Sequence, residues 1–158
     1  MRTSRRRLRV VESLNSDSLL AAAIMAARAL PGVVLVIEDD PIQLSHAQST
    51  VKQMEHTVLT AVSGEEALLI VRTRKVDVVL MDVFLPDMHG SELCPRLLDA
   101  AEGEGPSVIA VSVSNDAENI SKCLRSGAVD YVVKPLVRIA TCSPNAHDVP
   151  GRERSRSD

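Results

Sequence analysis

Glu38 and Asp39 close one valine-rich run, Asp82 a second, Ser112 a third and Lys134 a fourth. The central run lies in residues 76–90, VDVVLMDVFLPDMHG, where uninterrupted apolar residues deliver a single carboxylate, Asp82. A short valine-rich run bounded by polar or turn residues reads as a strand buried on both faces, the kind found inside parallel sheets. In open α/β sheets ligands bind beyond the carboxyl ends of the strands, so Asp82 stands where chemistry is expected. The plainer reading, an aspartate that caps a turn before Pro86, accounts for Asp82 alone. It leaves the other acids unexplained.

Parallel strands put their carboxyl ends on one rim, so Glu38, Asp39, Asp82, Ser112 and Lys134 are predicted to converge. Three carboxylates raise one another's pKa and cost energy unless a cation joins them. Hard oxygen donors in small number suit Mg²⁺, which keeps several waters. A Mg²⁺ at that rim would orient a phosphate and screen an anion approaching Asp82. With Lys134 as a point charge and Ser112 as a hydroxyl donor, the set has the parts that phosphoryl transfer requires: nucleophile, metal, cation and hydrogen-bond donor.

The elements that must position these residues follow from the pattern. VVLVI at residues 33–37 is a short buried strand, and Pro41 suits the first turn of a helix over residues 41–55 with Leu44, Ala47, Val51 and Met54 on one face. TVLTAV is a second strand; Ser63 and Glu66 form a capping box for a helix that turns Ala67, Leu68 and Val71 inward. After the central strand, Leu93, Leu97, Leu98 and Ala101 outline a third helix ending near Gly103, with Pro95 near its first turn. SVIAVS at residues 107–112 is the fourth strand; Asn115 with Glu118 is expected to cap a helix carrying Ala117, Ile120 and Leu124 and stopped by Gly127. AVDYVV at residues 128–133 is the fifth strand. Five strands alternating with four helices predict a doubly wound parallel α/β sheet, flavodoxin-like, in the order 2-1-3-4-5. The expected fifth helix is short or absent, because LVRIATCSPNAHDVP carries two prolines and no sustained apolar stripe.

A chain of 158 residues suits one domain with tails. The expected division is a basic lead with an alanine-rich helix or linker at 1–31, the domain at 32–136, and a disordered tail at 137–158. The net charge of −3 conceals arginines crowded at both ends and acids in the middle. Phe84 and Tyr131 are the whole aromatic complement, so stacking platforms are missing and nucleic-acid binding by the core is not expected. Cys94, Cys123 and Cys142 are odd in number and lack any Cys-x-x-Cys pair, which argues against a zinc site and a disulfide framework and for a reducing cytoplasm. Cys94 and Cys123 read as packing residues. His46, His56, His89 and His147 have no ligand spacing and read as surface or turn residues. LLAAAIMAA, the longest apolar stretch outside the strands, is too short for a membrane span.

VLVIEDDP, MDVFLPDMHG, VIAVS and GAVDYVVKP resemble the motifs of response-regulator receiver domains of two-component phosphorelay signalling, over residues 33–135. Ser112 follows Asp82 by 30 residues and Lys134 follows Ser112 by 22, as in that family. The resemblance implies that Asp82 is the phosphoacceptor, that Asp39, Asp82 and the Phe84 carbonyl are direct Mg²⁺ ligands, and that Glu38 is an outer-sphere partner, with Asp40 only a neighbour. It implies that Ser112 and Tyr131 are a switch pair and that the Lys134–Pro135 bond is cis. The implied partner is a sensor histidine kinase or histidine phosphotransfer protein, with the chain catalysing only its own phosphorylation and dephosphorylation. Two features depart from the pattern. Val113 stands where the family usually has alanine, and the fifth helix, part of the family's docking surface, is missing. Cover for the sheet face this would bare is expected from the apolar residues of 18–30, with a dimer or a partner kinase as rivals.

Other classes fit less well. A scaffold that keeps the fold and signals by contact alone has no need of all five site residues. A phosphatase of the haloacid-dehalogenase type would have its second aspartate where Phe84 stands. A flavin or nucleotide carrier would need a Gly- or Ser/Thr-rich loop where acids follow the first strand.

Overall fold

A computed structural model describes residues 32–134 of the chain. In chain order the elements are β1 (Val33–Ile37), α1 (Pro41–Gln53), β2 (Thr57–Ala61), α2 (Gly64–Thr73), β3 (Val78–Asp82), α3 (Gly90–Ala100), β4 (Ser107–Ser112), α4 (Ala117–Arg125) and β5 (Asp130–Val133). The five strands form one sheet in the order β2-β1-β3-β4-β5, and every pairing is parallel. This is the flavodoxin-like doubly wound arrangement that the alternation predicted. Register levels the strand ends: Ile37 lies beside Ala61 and Met81, Asp82 beside Val111, and Ser112 beside Val133.

Because side chains alternate along a strand, each strand feeds two cores. Val34, Val36, Val78, Leu80, Ile109 and Val132 face α1, where Leu44, Ala47, Val51 and Met54 meet them. Leu35, Ile37, Val79, Met81, Val108, Ala110 and Tyr131 face the other way, against Leu68 and Val71 of α2, Leu93 and Leu97 of α3, and Cys123 of α4. Burying one such leucine or isoleucine stabilises the fold by roughly 1.5–3 kcal/mol relative to exposure. Cys94 and Cys123 are completely buried and unpaired, as packing residues should be.

Helix boundaries are set by local chemistry. Asp40 caps α1, its Oδ1 accepting from the Ile42 and Gln43 N–H groups at 2.9 Å each, and Pro41 occupies the first turn. Ser63 accepts from the Glu66 N–H at 3.2 Å while Glu66 Oε2 accepts from the Val62 N–H at 2.8 Å, so the expected capping box is present but reaches Val62 on its return. Gly127, at φ 116°, ends α4 in a conformation that favours glycine, as expected.

Three boundary expectations are corrected. The cap of α4 is Asp116, accepting from Asn119 N–H at 3.3 Å, and not Asn115: Ser114 Oγ holds the Asp116 N–H at 3.2 Å, which moves the helix start one residue on. α1 stops at Gln53, and Glu55 follows at φ 63°. α3 ends at Ala100, short of Gly103, and Pro95 falls in its second turn, so the Ser91 carbonyl loses its helical N–H partner. The expected helix in 18–30, the fifth-helix region, the tail, the Lys134–Pro135 bond, Cys142 and His147 lie outside the described residues. Among the described residues no helix is long and apolar enough to cross a membrane.

Candidate functional site: an acidic centre at the strand ends

β1, β3, β4 and β5 all end at the same rim, and their terminal residues build the site. Glu38 directly follows β1 and is tied to the end of β2 by its N–H bond to the Ala61 carbonyl at 3.0 Å. Asp82 is the last residue of β3, and the Val83 N–H continues the ladder to Val111 at 3.2 Å. The Lys134 N–H donates to the Ser112 carbonyl at 2.6 Å, which carries its side chain back over the rim from β5.

The three predicted acids do converge: Glu38, Asp39 and Asp82 each offer a carboxylate oxygen, and these atoms lie within 4.8 Å of one another. Glu38 is buried and Asp39 exposed, so the cluster opens to solvent on one side. Lys134 joins them. Its ammonium donates to Glu38 Oε2 at 2.6 Å and to Asp82 Oδ2 at 3.2 Å, across 96 and 52 residues of chain. Burial pushes the Glu38 carboxyl up, and the neighbouring Asp82 charge adds to this, while the Lys134 ammonium and the Asp40 N–H oppose it. Asp82 is held on both oxygens, Oδ2 by Lys134 and Oδ1 by the Phe84 N–H at 3.1 Å.

Such a set can hold a divalent cation. Three hard oxygen donors with one open side fit Mg²⁺, which keeps part of its hydration. The same carboxylate of Asp82, at the carboxyl end of β3 and beside a lysine, has the chemistry of a nucleophile. Three exposed apolar side chains are near neighbours of site residues in the chain: Ile42, 79% exposed, Phe84, 48%, and Val113, 56%.

Ser112 and Tyr131 lie one strand apart but are linked through Ser114. The Ser112 hydroxyl is fully buried and accepts from the Ser114 N–H at 3.1 Å; the Tyr131 hydroxyl donates to the Ser114 carbonyl at 2.9 Å. The Tyr131 ring is itself buried, and that burial pushes its hydroxyl pKa up. Phe84 stacks edge-on against His89, with ring centroids 5.4 Å apart, and a bridge pairs the two residues' backbones.

Sequence reasoning missed Gln43. One turn into α1, its Oε1 accepts from the Lys134 ammonium at 2.6 Å, a third acceptor for the same cation. A glutamine three residues after the acids, on a helix opened by Pro41, carried the signal, because that position faces back over the first turn. Asp40, read as a bystander, is the cap that orients this turn, and its N–H donates to Glu38 Oε1 at 3.1 Å.

A profile described as the response regulator receiver domain matches residues 34–141. The chain is 36% identical over 107 residues to the transcriptional regulatory protein AfsQ1 of Streptomyces coelicolor, covering 68% of this chain and 46% of AfsQ1. It is 30% identical over 103 residues to the protein PilH of Pseudomonas aeruginosa, covering 65% of this chain and 85% of PilH. The crystal structure of a CheY-like receiver domain from Methanospirillum hungatei superposes with a TM-score of 0.61 at 26% identity, covering 68% of this chain and 84% of that one. The chain thus spans about half the length of relatives such as AfsQ1, but 85% of PilH and 84% of the Methanospirillum hungatei chain. With its sheet order, its rim of acids and these relatives in agreement, the chain belongs to the response-regulator receiver domain family.

Proposed function

We propose that this chain is a phosphoacceptor: it takes a phosphoryl group from a phosphohistidine onto Asp82 in a Mg²⁺-dependent reaction and signals through the resulting change at its rim. The observation that carries this reading is the meeting of Glu38, Asp39 and Asp82 within 4.8 Å, with the Lys134 ammonium 3.2 Å from Asp82. Asp39, Asp82 and the Phe84 carbonyl would hold the metal, with Glu38 acting through water. Mg²⁺, when bound, supplies positive charge that orients the incoming phosphate and offsets charge developing on its oxygens.

An Asp82 oxygen attacks phosphorus, the P–N bond to the donor imidazole breaks, and that nitrogen keeps the electron pair and takes up a proton. The product is an acyl phosphate on Asp82. Lys134 exchanges its bonds to Glu38 and Gln43 for a phosphoryl oxygen, a short move for a flexible ammonium with three donors. Ser112 releases Ser114 and donates its hydroxyl to a second phosphoryl oxygen, and Tyr131, bonded to the same residue, reports the movement. The donor is a sensor histidine kinase or a histidine phosphotransfer protein, and the exposed apolar side chains of Ile42, Phe84 and Val113 suit contact with it.

Incubation with acetyl phosphate and Mg²⁺, followed by mass spectrometry, tests the assignment. The expected result is one hydroxylamine-sensitive phosphate on the native chain and none on Asp82→Asn, since a carboxamide does not attack as a carboxylate does. Equal labelling of the variant refutes it.

A further inference from the structure

The loop between β3 and α3 carries the Phe84 carbonyl, and its apex is fastened to a helix that takes no part in the acidic centre. At its neck the Gly90 N–H donates to the Val83 carbonyl at 2.7 Å, and Phe84 and His89 pair across it. Gly90 permits the neck to close, since a Cβ there would meet Met81 Cε at 2.9 Å and Val83 Cα at 3.0 Å. At the apex the Asp87 carboxylate spends both oxygens on the N-terminus of α2: Oδ1 accepts from the Gly64 N–H and Oδ2 from the Glu65 N–H, each at 3.0 Å.

The first N–H groups of a helix have no partner within it, and the helix dipole favours an anion there. α2 divides the task. Its own cap, Ser63, takes the Glu66 N–H, while Gly64 and Glu65 are left to a residue from another loop. Two further contacts hold the same junction. Met88 lies over Gly64, where a Cβ would stand 2.8 Å from its sulfur, and Arg96 of α3 reaches both Met88 Sδ at 3.4 Å and Glu65 Oε1 at 2.9 Å. α2 is itself anchored in the core through Ala67, Leu68 and Val71. The loop is therefore pinned to the core at its apex as well as at its neck.

We propose that Asp87 is a positioning residue for the metal centre: by taking two N–H groups of α2 it fixes the loop from which Phe84 presents its carbonyl. This inference rests on the phosphoacceptor reading above. Asp87 touches neither the metal position nor the phosphoryl group. Burial is the largest single influence on its carboxyl and pushes it up, but four backbone N–H groups, from Gly64, Glu65, Asp87 and Met88, together outweigh it and hold the carboxyl below the usual aspartate range, so the tether is charged at neutral pH.

The test compares two caps of one helix. Mg²⁺ is titrated by calorimetry into the full native chain, Asp87→Ala, Asp87→Asn and Ser63→Ala, and the thermal midpoint of each metal-free protein is recorded. Residues that support a metal site from outside typically alter affinity 10- to 100-fold, so Asp87→Ala is expected to weaken Mg²⁺ binding about 10-fold. Asp87→Asn, with one acceptor left, falls between. Ser63→Ala lowers the midpoint but leaves Mg²⁺ affinity unchanged, because it loosens α2 without freeing the loop. Equal Mg²⁺ affinity in Asp87→Ala and the native chain overturns the proposal, and so does an equal loss in Asp87→Ala and Ser63→Ala. If Asp87→Ala does not fold, Asp87→Asn carries the same comparison. A native chain that binds no Mg²⁺ overturns the phosphoacceptor reading and this inference together, whereas a native chain that binds it with Asp87 variants unaffected overturns the inference alone.

Discussion

Replacing Lys134 with methionine keeps most of the aliphatic stem and removes the cation from the acidic centre. Its ammonium lies 2.6 Å from Glu38 and 3.2 Å from Asp82, with only 16% of its side chain exposed against 6% and 12% for the two acids. What remains is a group of three carboxylates within 4.8 Å. Two unit charges at about that separation repel by about 3.5 kcal/mol at an effective dielectric constant of ~20. Removing one partner of a buried pair costs about 3–5 kcal/mol. Because Asp39 is exposed and the cluster open on one side, the lower value applies, and the variant should lose about 3 kcal/mol in chelator. For a domain of this size that is a fall in thermal midpoint of roughly 12 °C. Circular dichroism during heating or urea titration measures it, there being no Trp to follow. Mg²⁺ should then close most of the gap and bind the variant more tightly than the native chain, since it no longer competes with an ammonium for the same oxygens. A variant as stable as the native chain in chelator, or one that gains no more from Mg²⁺, refutes this electrostatic account.

Asp39→Asn should weaken Mg²⁺ binding with little effect on stability, whereas Asp40→Ala should cost about 1 kcal/mol as a lost helix cap and leave Mg²⁺ affinity intact; calorimetry and thermal melting on both variants separate the roles. The pH dependence of stability should carry a contribution from Asp87. Its carboxyl is held below its usual range, so this contribution is complete above about pH 4, the unfolded value, and is lost as pH falls through the lower folded value. Asp87→Asn should flatten that acid limb, and an unchanged profile counts against the tether. Deleting residues 1–30 should lower the thermal midpoint markedly or precipitate the protein, because α1 is the one described helix on the face formed by Val34, Leu80, Ile109 and Val132, and we propose the apolar residues of 18–30 as further cover. An unchanged monomer with an unchanged midpoint sinks that proposal.

Much of the site could be read directly. Val78 to Met81 are apolar without a break because both faces of β3 are buried, and the break in that pattern at Asp82 marks the rim. The capping of α2 by Ser63 and the stop of α4 at Gly127 were legible because each depends on the chemistry of one turn. The start of α4 was read one residue early because Asn115 and Asp116 are both good caps, and what separates them is the Ser114 hydroxyl holding the Asp116 N–H. The second-turn position of Pro95 was hidden for a similar reason: the start of α3 depends on His89, whose Nδ1 accepts from the Ser91 N–H at 3.2 Å, and histidine is not a common cap.

By itself the sequence determined the kinds of element, their order, and the acids, serine and lysine at the strand ends, because those follow from periodicity and from bonds within a few residues. Tertiary structure alone decided what these groups touch. That the Lys134 ammonium rests between Glu38, Gln43 and Asp82, and that Asp87 serves a helix 22 and 23 residues before it, depends on distances across the folded sheet. Charged side chains on flexible stems choose partners by proximity and desolvation in three dimensions, and neither quantity exists along an unfolded chain.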